Sequence, residues 1–131
     1  MKTDVEIQQD VFQYVKGGLI DDAINGEVRI LPRSTKSKKE DCIISILDND
    51  PTQIQFAFVN VNVYVPNITN GGESVGNLPR IKVLAKLCSE VLKEVYLGAY
   101  SFWLVKQRVL PVEGKDEYVI NNKIKYSFNN E

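Results

Sequence analysis

The order in which helical and strand-like hydrophobic patterns follow one another is the feature that most constrains this fold. A helical pattern comes first, then three strand-like segments, one strongly amphipathic helical segment and two more strand-like segments. Strands grouped on both sides of one helix are typical of an α+β arrangement. The 131 residues are enough for one domain with a buried core. We therefore expect a single α+β domain over residues 1–131, with the order α-β-β-β-α-β-β. Its sheet should be mostly antiparallel, with about five strands and two helices packed on one face.

Two helices are predicted from their caps and from their spacing of apolar residues. Thr3 and Glu6 have the spacing of a capping box, and the apolar pattern behind them predicts a helix over residues 4–16. Gly17 and Gly18 should end it, and residues 19–24 should form a further short turn. A second helix is predicted over residues 79–97, ended by Gly98. Its apolar stripe consists of Ile81, Leu84, Ala85, Cys88, Val91, Leu92 and Val95.

Five strands are predicted, over residues 28–31, 42–47, 52–65, 102–112 and 118–128. The turn-forming residues 48–51 predict a hairpin between the second and third strands. Residues 67–77 contain three glycines and no apolar period, so we expect a flexible loop there.

The third strand contains a change of phase. Phe56 and Phe58 are apolar at even positions, whereas Val59 and Val61 begin an apolar run at odd positions. One inserted residue reverses the faces of a strand. The pattern therefore predicts a β-bulge near Phe58 and Val59. The alternative is a strand that leaves the core there and presents a new face to a partner.

The residues needed for most enzyme chemistry are missing from the chain. There is no histidine, and the sequence shows no nucleophile–base pair, phosphate-binding glycine loop or metal-ligand spacing. We therefore expect no enzyme activity, no catalytic residues, no cofactor and no metal. Cys42 and Cys88 are interpreted as buried free thiols of a reduced compartment, and a disulfide between them is the less favoured alternative.

A binding or structural role is left, and four groups of residues are candidate interface positions. The net charge of −1 gives no general attraction to nucleic acid or membranes, so we expect neither a specific nucleic acid nor a membrane as partner. The candidates are Arg33, Lys36, Lys38 and Lys39, then Asn60 and Asn62, then Asn70, Gly71 and Gly72, and finally Trp103. The alternatives are a solvated loop for the lysine run, a solvated sheet face for Asn60 and Asn62, and a core position for Trp103.

The N-terminal segment lacks the apolar core of a signal peptide, and no apolar stretch approaches the ~20 residues that cross a bilayer. We therefore expect a soluble protein made in the cytoplasm.

Two short segments and the order of elements resemble a family of phage proteins. The first segment is Gly26-Glu27-Val28-Arg29-Ile30-Leu31-Pro32, which follows the N-terminal helix. The second is a helix start of the Leu-Pro-Arg-Ile-x-x-Leu-Ala type at residues 78–85. The chain resembles the tail-completion and tail-terminator proteins, the head–tail joining or minor tail proteins, of long-tailed phages and prophages.

The resemblance implies a sheet backed by two helices and a homo-oligomer, commonly a hexameric ring. Such a ring caps the tail tube and joins it to the head connector, with no catalytic residues. Loops 33–40 and 67–77 would then be candidates for ring or tube contacts, and the protein would be assembled in the cytoplasm and become a virion component. The alternative function is a small dimeric module that binds an unknown ligand or protein.

Overall fold

The computed structural model describes residues 1–51 and 53–130. Within them, the helices are α1 (Asp4–Val15), α2 (Leu19–Ala23) and α3 (Leu78–Val91). The strands are β1 (Val28–Arg29), β2 (Cys42–Asp50), β3 (Ile54–Pro66), β4 (Ile68–Asn70), β5 (Glu73–Val75), β6 (Glu94–Leu97), β7 (Tyr100–Pro111) and β8 (Glu117–Asn129). The α+β class is therefore confirmed, with more elements than the sequence pattern predicts.

Six strands form one mixed sheet in the order β1-β2-β3-β8-β7-β6. The central pair, β3 with β8, is antiparallel and keeps one register from Ile54–Asn129 to Pro66–Glu117. β1 is parallel to β2 and only two residues long. The prediction of about five strands misses β6, because four residues are too few to show a period of their own.

All three helices contribute to one core on one face of this sheet. The Thr3 hydroxyl accepts a hydrogen bond from the Glu6 backbone N–H, and the Glu6 carboxylate accepts one from Thr3, so the predicted capping box is present. α1 buries Ile7, Val11 and Val15 against the sheet. From the sheet, the odd-numbered side chains of β3 and the even-numbered side chains of β8 complete the core.

The predicted second helix is wrong beyond residue 91. Leu92 caps α3, and the chain then forms β6, which pairs with the start of β7. Gly98 makes the turn between these two strands, with φ of +75°, and does not cap a helix. Val95 is buried in β6, and it would also be buried on the apolar side of a longer helix. The apolar stripe of the sequence therefore continues to Val95 although the helix ends earlier.

The predicted bulge in the third strand is also wrong, because β3 alternates without interruption. Gln55 and Ala57 are buried at odd positions, while Phe56 and Phe58 lie on the opposite face. Gln55 is fully buried because its side chain accepts a hydrogen bond from Lys2 N and donates one to Lys2 O, at 2.9 and 2.8 Å. A buried polar residue whose hydrogen bonds are satisfied therefore interrupts the apolar alternation of the sequence, and this interruption resembles a change of phase.

The irregularities occur instead in the two strands that flank β3 and β8. Ile46 pairs with Val59 and Asp48 with Phe58, which leaves Leu47 as an extra residue in β2. Likewise Leu104 pairs with Ile124 and Lys106 with Lys123, so Val105 is extra in β7.

Two segments predicted as a turn and a loop are strands. Residues 48–50 continue β2, because they pair with β3 after the bulge, and the predicted start of the third strand falls on residue 52, outside the described residues. Residues 68–75 form a separate two-stranded hairpin, β4 with β5. Gly71 and Gly72 form its turn, with φ of +61° and +84°, values that glycine adopts without strain.

Cys42 and Cys88 are buried free thiols, as predicted. Burial raises the pKa of the Cys88 thiol to about 11 and raises that of Cys42 further, so both are protonated at neutral pH. Across the described residues no helix has the length and apolar character to cross a membrane, and no cluster of metal-ligating side chains forms.

Candidate interaction surface

The face of the main sheet that points away from the helices carries a mixture of amide, cationic and aromatic side chains. We call it the open face. Strand pairing aligns its residues in rows across β2, β3, β8 and β7. The two clearest rows are Ile43, Asn62, Asn121 and Arg108, and beside it Ser45, Asn60, Lys123 and Lys106.

Three asparagines join at the centre of the open face. Asn121 of β8 donates from Nδ2 to Oδ1 of Asn60 at 3.1 Å and to Oδ1 of Asn62 at 2.7 Å. These bonds fix the amide side chains across the β3–β8 pair. The predicted residues Asn60 and Asn62 therefore lie on one surface, and Asn121 is a third member that the sequence analysis missed. Its position two residues before Lys123 and four before Lys125, in a strand where alternate residues share a face, was the available signal.

Lysines of β8 lie over the aromatic rings of the open face. Lys123 Nζ is 4.6 Å from the centre of the Phe58 ring, and Lys125 Nζ is 4.5 Å from that of Phe56. Such contacts attract the cation to the ring and cover apolar surface with the lysine stems. They explain how two phenylalanines remain stable on a face outside the core.

Trp103 belongs to the same open face. It pairs with Lys125 and is half-buried, whereas its neighbour Phe102 points into the core and is fully buried. Tyr100 is stacked on Tyr126, with ring centres 5.5 Å apart. Trp103 thus lies in the row of Lys125 and Phe58, on the same face as Asn60 and Asn62. Tyr96 of β6 lies on this face as well and is 75% exposed.

Arg33 is placed differently from the other candidates. Its guanidinium donates from Nε to Asp41 at 2.9 Å and from Nη1 to Glu117 at 2.7 Å, and lies 4.3 Å from the centre of the Tyr64 ring. Its Nη2 also donates to the backbone carbonyl of Lys39 at 3.0 Å. Arg33 therefore fastens loop 33–40 to the end of β3 and β8 from the inside.

The pKa of Asp41 is lowered in the folded protein. Burial pushes it upward, but hydrogen bonds from the Ser37 hydroxyl, the Glu27 backbone N–H and Arg33 outweigh that effect. A carboxyl group that is more acidic when folded adds stability above its unfolded pKa and loses that contribution as pH falls through its folded pKa.

We therefore expect the melting temperature to fall below about pH 4, the range where an ordinary aspartate protonates. Thermal melts between pH 2.5 and 6 measure this, with Asp41→Asn as the matched variant. The variant should be less stable at pH 6 and should lose less on acidification. Equal acid sensitivity in both proteins would show that Asp41 does not contribute.

The remaining candidates lie at the end of the sheet where Arg33 is bound. Lys36 and Lys38 are exposed and line a cleft of about 630 Å³ together with Asn67, Thr69 and Lys115. Lys39 lines a neighbouring groove beside Asn25. Asn70, Gly71 and Gly72 form the exposed tip of the β4–β5 hairpin. The structure thus divides the candidates into an open-face group and a loop-and-hairpin group.

Comparison with known proteins identifies the fold. No protein-family model matches the chain, and no curated protein matches its sequence. Among solved structures, the chain is similar to a chain of the structure titled "Virion of native gene transfer agent (GTA) particle". The match has a TM-score of 0.61, covers 93% of this chain and 93% of the other, and has 13% sequence identity. At that identity, the similarity shows a shared fold.

Proposed function

We propose that this protein is a structural component of a phage or phage-derived particle, of the tail-terminator or head–tail joining kind. It acts by ring-forming self-association and by docking to the tail tube, without catalytic turnover. The observation that carries the proposal is the shared fold with a chain of a gene transfer agent virion, over nearly the whole length of both chains. The order of elements and the segments around Gly26 and Leu78, which resemble those of tail-terminator proteins, support the same proposal.

The surfaces of the molecule are consistent with docking. The open face spans the four longest strands of the main sheet and carries amide and cationic groups suited to polar contacts. The β4–β5 hairpin is separate from that sheet, and its residues Ile68 to Ser74 are exposed. A small-ligand module would instead be expected to present a concave, mostly apolar pocket. The cleft at Lys36 and Lys38 is open and about as polar as it is apolar.

The first test is the absolute mass of the purified protein across a range of concentrations, by native mass spectrometry and light scattering. A ring of six or a similar closed number is expected, because heterologous contacts close into rings. A stable dimer at every concentration would contradict the ring and favour the small binding module.

The second test uses the hairpin. Replacing residues 69–74 by a two-residue Asn-Gly turn should change the free energy of unfolding by less than about 0.5 kcal/mol, because the removed residues are exposed. Copurification of the variant with assembled particles should be reduced relative to wild type. Equal copurification would exclude the hairpin from the docking contacts, and unfolding would make it part of the stable fold.

A further inference from the structure

The outermost strands of the main sheet, β1 and β6, are short. Each leaves a long part of the neighbouring strand's edge unpaired, which we call a margin of the sheet. β1 pairs only with Cys42 and Ile43 of β2, and β6 pairs only with residues 100–103 of β7. In the described part of the chain, residues 45–50 of β2 and 105–111 of β7 have no strand neighbour on their outer side. Two strand edges are therefore open on opposite sides of the same sheet.

Each margin contains one of the two β-bulges, and the bulges flank one row of residues across the sheet. Ile46, Val59, Ile124 and Leu104 form one continuous row across the four strands. Because β2 and β7 run in opposite directions, the extra residue lies on one side of this row in β2 and on the other side in β7. Contact between the two margins therefore requires neighbouring copies to be offset along the strands. The extra residues are Leu47, which is 56% exposed, and Val105, which is 51% exposed. Bulges interrupt continuous pairing with another strand, so side-chain contacts are favoured at these margins.

The charges beside the two exposed aliphatic residues are opposite in sign. Leu47 is followed by exposed Asp48 and Asp50. We call Leu47, Asp48 and Asp50 the acidic margin. Val105 is followed by exposed Lys106 and Arg108. We call Val105, Lys106 and Arg108 the basic margin. Within residues 1–51 and 53–130, none of these four charged side chains takes part in a salt bridge.

The basic margin also contains an arrangement that is unfavourable in the isolated chain. Lys106 lies directly opposite Lys123 of β8 in the strand register. Like charges opposite each other across strands destabilise a sheet. An acidic partner placed against this margin would turn the repulsion into attraction.

We propose that the basic margin of one copy docks on the acidic margin of the next copy, with Val105 and Leu47 in the contact. The occupant of each margin is thus a second copy of this chain. Because the two margins lie on opposite sides of the sheet, the contact is head-to-tail, and repeated rotation closes it into a ring. This inference rests on the self-association in the proposed function and specifies its surfaces. A nucleic acid would match the basic margin alone, whereas a second copy matches both margins and both exposed aliphatic residues.

Two charge-reversal variants test the contact. K106E/R108E makes both margins acidic, and D48K/D50K makes both basic. Each variant alone should need at least tenfold higher protein concentration for half-assembly than wild type, because like charges then meet at every contact. An equimolar mixture of the two should assemble again into particles that contain both chains. The fourfold variant D48K/D50K/K106E/R108E should also assemble.

The matched control is K82E/K86E, which reverses two exposed lysines of α3 with the same change of net charge as K106E/R108E. It should assemble at the wild-type concentration. Thermal melts of all variants check folding, and native mass spectrometry measures the assemblies. Raising the salt concentration should weaken wild-type assembly, because exposed charge pairs are screened.

The outcomes separate this inference from the proposed function. If both charge-reversal variants still form rings at the wild-type concentration, the margin contact is overturned, while ring assembly itself is not. Failure of the mixture to assemble would also overturn the margin contact. A wild type that is monomeric at every concentration would overturn both the self-association and the contact. If K106E/R108E assembles normally but loses binding to a fluorescent 20-base-pair DNA, the basic margin binds nucleic acid and the inference is wrong.

Discussion

Replacing Arg33 by Met should lower the free energy of unfolding by about 3–5 kcal/mol, the loss typical when one partner of a buried ion pair is removed. The side chains of Arg33, Asp41 and Glu117 are 7%, 7% and 5% exposed, so solvent cannot replace the guanidinium. Two buried carboxylates would remain without their main cation. Loop 33–40 would also lose the hydrogen bond from Arg33 to the Lys39 carbonyl.

Urea unfolding monitored by the fluorescence of Trp103 measures this loss. Lys36→Met is the matched control, since Lys36 is an exposed basic residue of the same loop. It should change the free energy of unfolding by less than about 0.5 kcal/mol. Adding Glu117→Gln to Arg33→Met should recover part of the loss, because one unpaired charge is removed. A loss below about 1 kcal/mol for Arg33→Met would contradict the network's role.

This ion network also explains why Arg33 was hard to assign from the sequence. Its partner Glu117 lies 84 residues away. The two meet where the end of β3 pairs with the start of β8, next to Asp41 before β2. Arg33 lies beside several lysines, and a segment of that composition is typical of an exposed loop. The long-range strand pairing determines that Arg33 points inward while Lys36 and Lys38 point outward.

The sequence predicts the parts of the fold whose periods are long enough to be distinctive. The capped helix at the N-terminus, the start of the second helix and the long strands follow from local pattern. It fails where tertiary contacts override the pattern. Val95 continues a helical stripe yet belongs to β6, and the polar Gln55 is buried because Lys2 satisfies it.

The candidate interaction surface is likewise only partly predictable from local sequence pattern. Alternation along one strand is enough to place Asn60 and Asn62 on a common face. The alignment of these residues with Asn121, Lys123 and Trp103 requires the strand order β3-β8-β7, which connects segments far apart in the chain. The opposite charges of the two sheet margins likewise become visible only when β2 and β7 are known to lie on opposite sides.

Replacing Leu84 by Ala should lower the free energy of unfolding by about 2–5 kcal/mol, the range found for buried leucines. Leu84 is fully buried and lies on the face of α3 that packs against the sheet, between Ile81 and Cys88. Removing its side chain leaves a cavity that the neighbouring strands fill only partly, since they are held by pairing along their length.

The control for this prediction is Leu78→Ala, the same chemical change on the same helix. Leu78 is 68% exposed, so its loss should change the free energy of unfolding by less than about 0.5 kcal/mol. Thermal and urea unfolding of both variants measure the difference. If Leu84→Ala costs less than about 1 kcal/mol, or no more than Leu78→Ala, then α3 does not present Leu84 to the sheet. The large difference expected between the two leucines follows from burial alone, because α3 keeps one face on the sheet and the other in water.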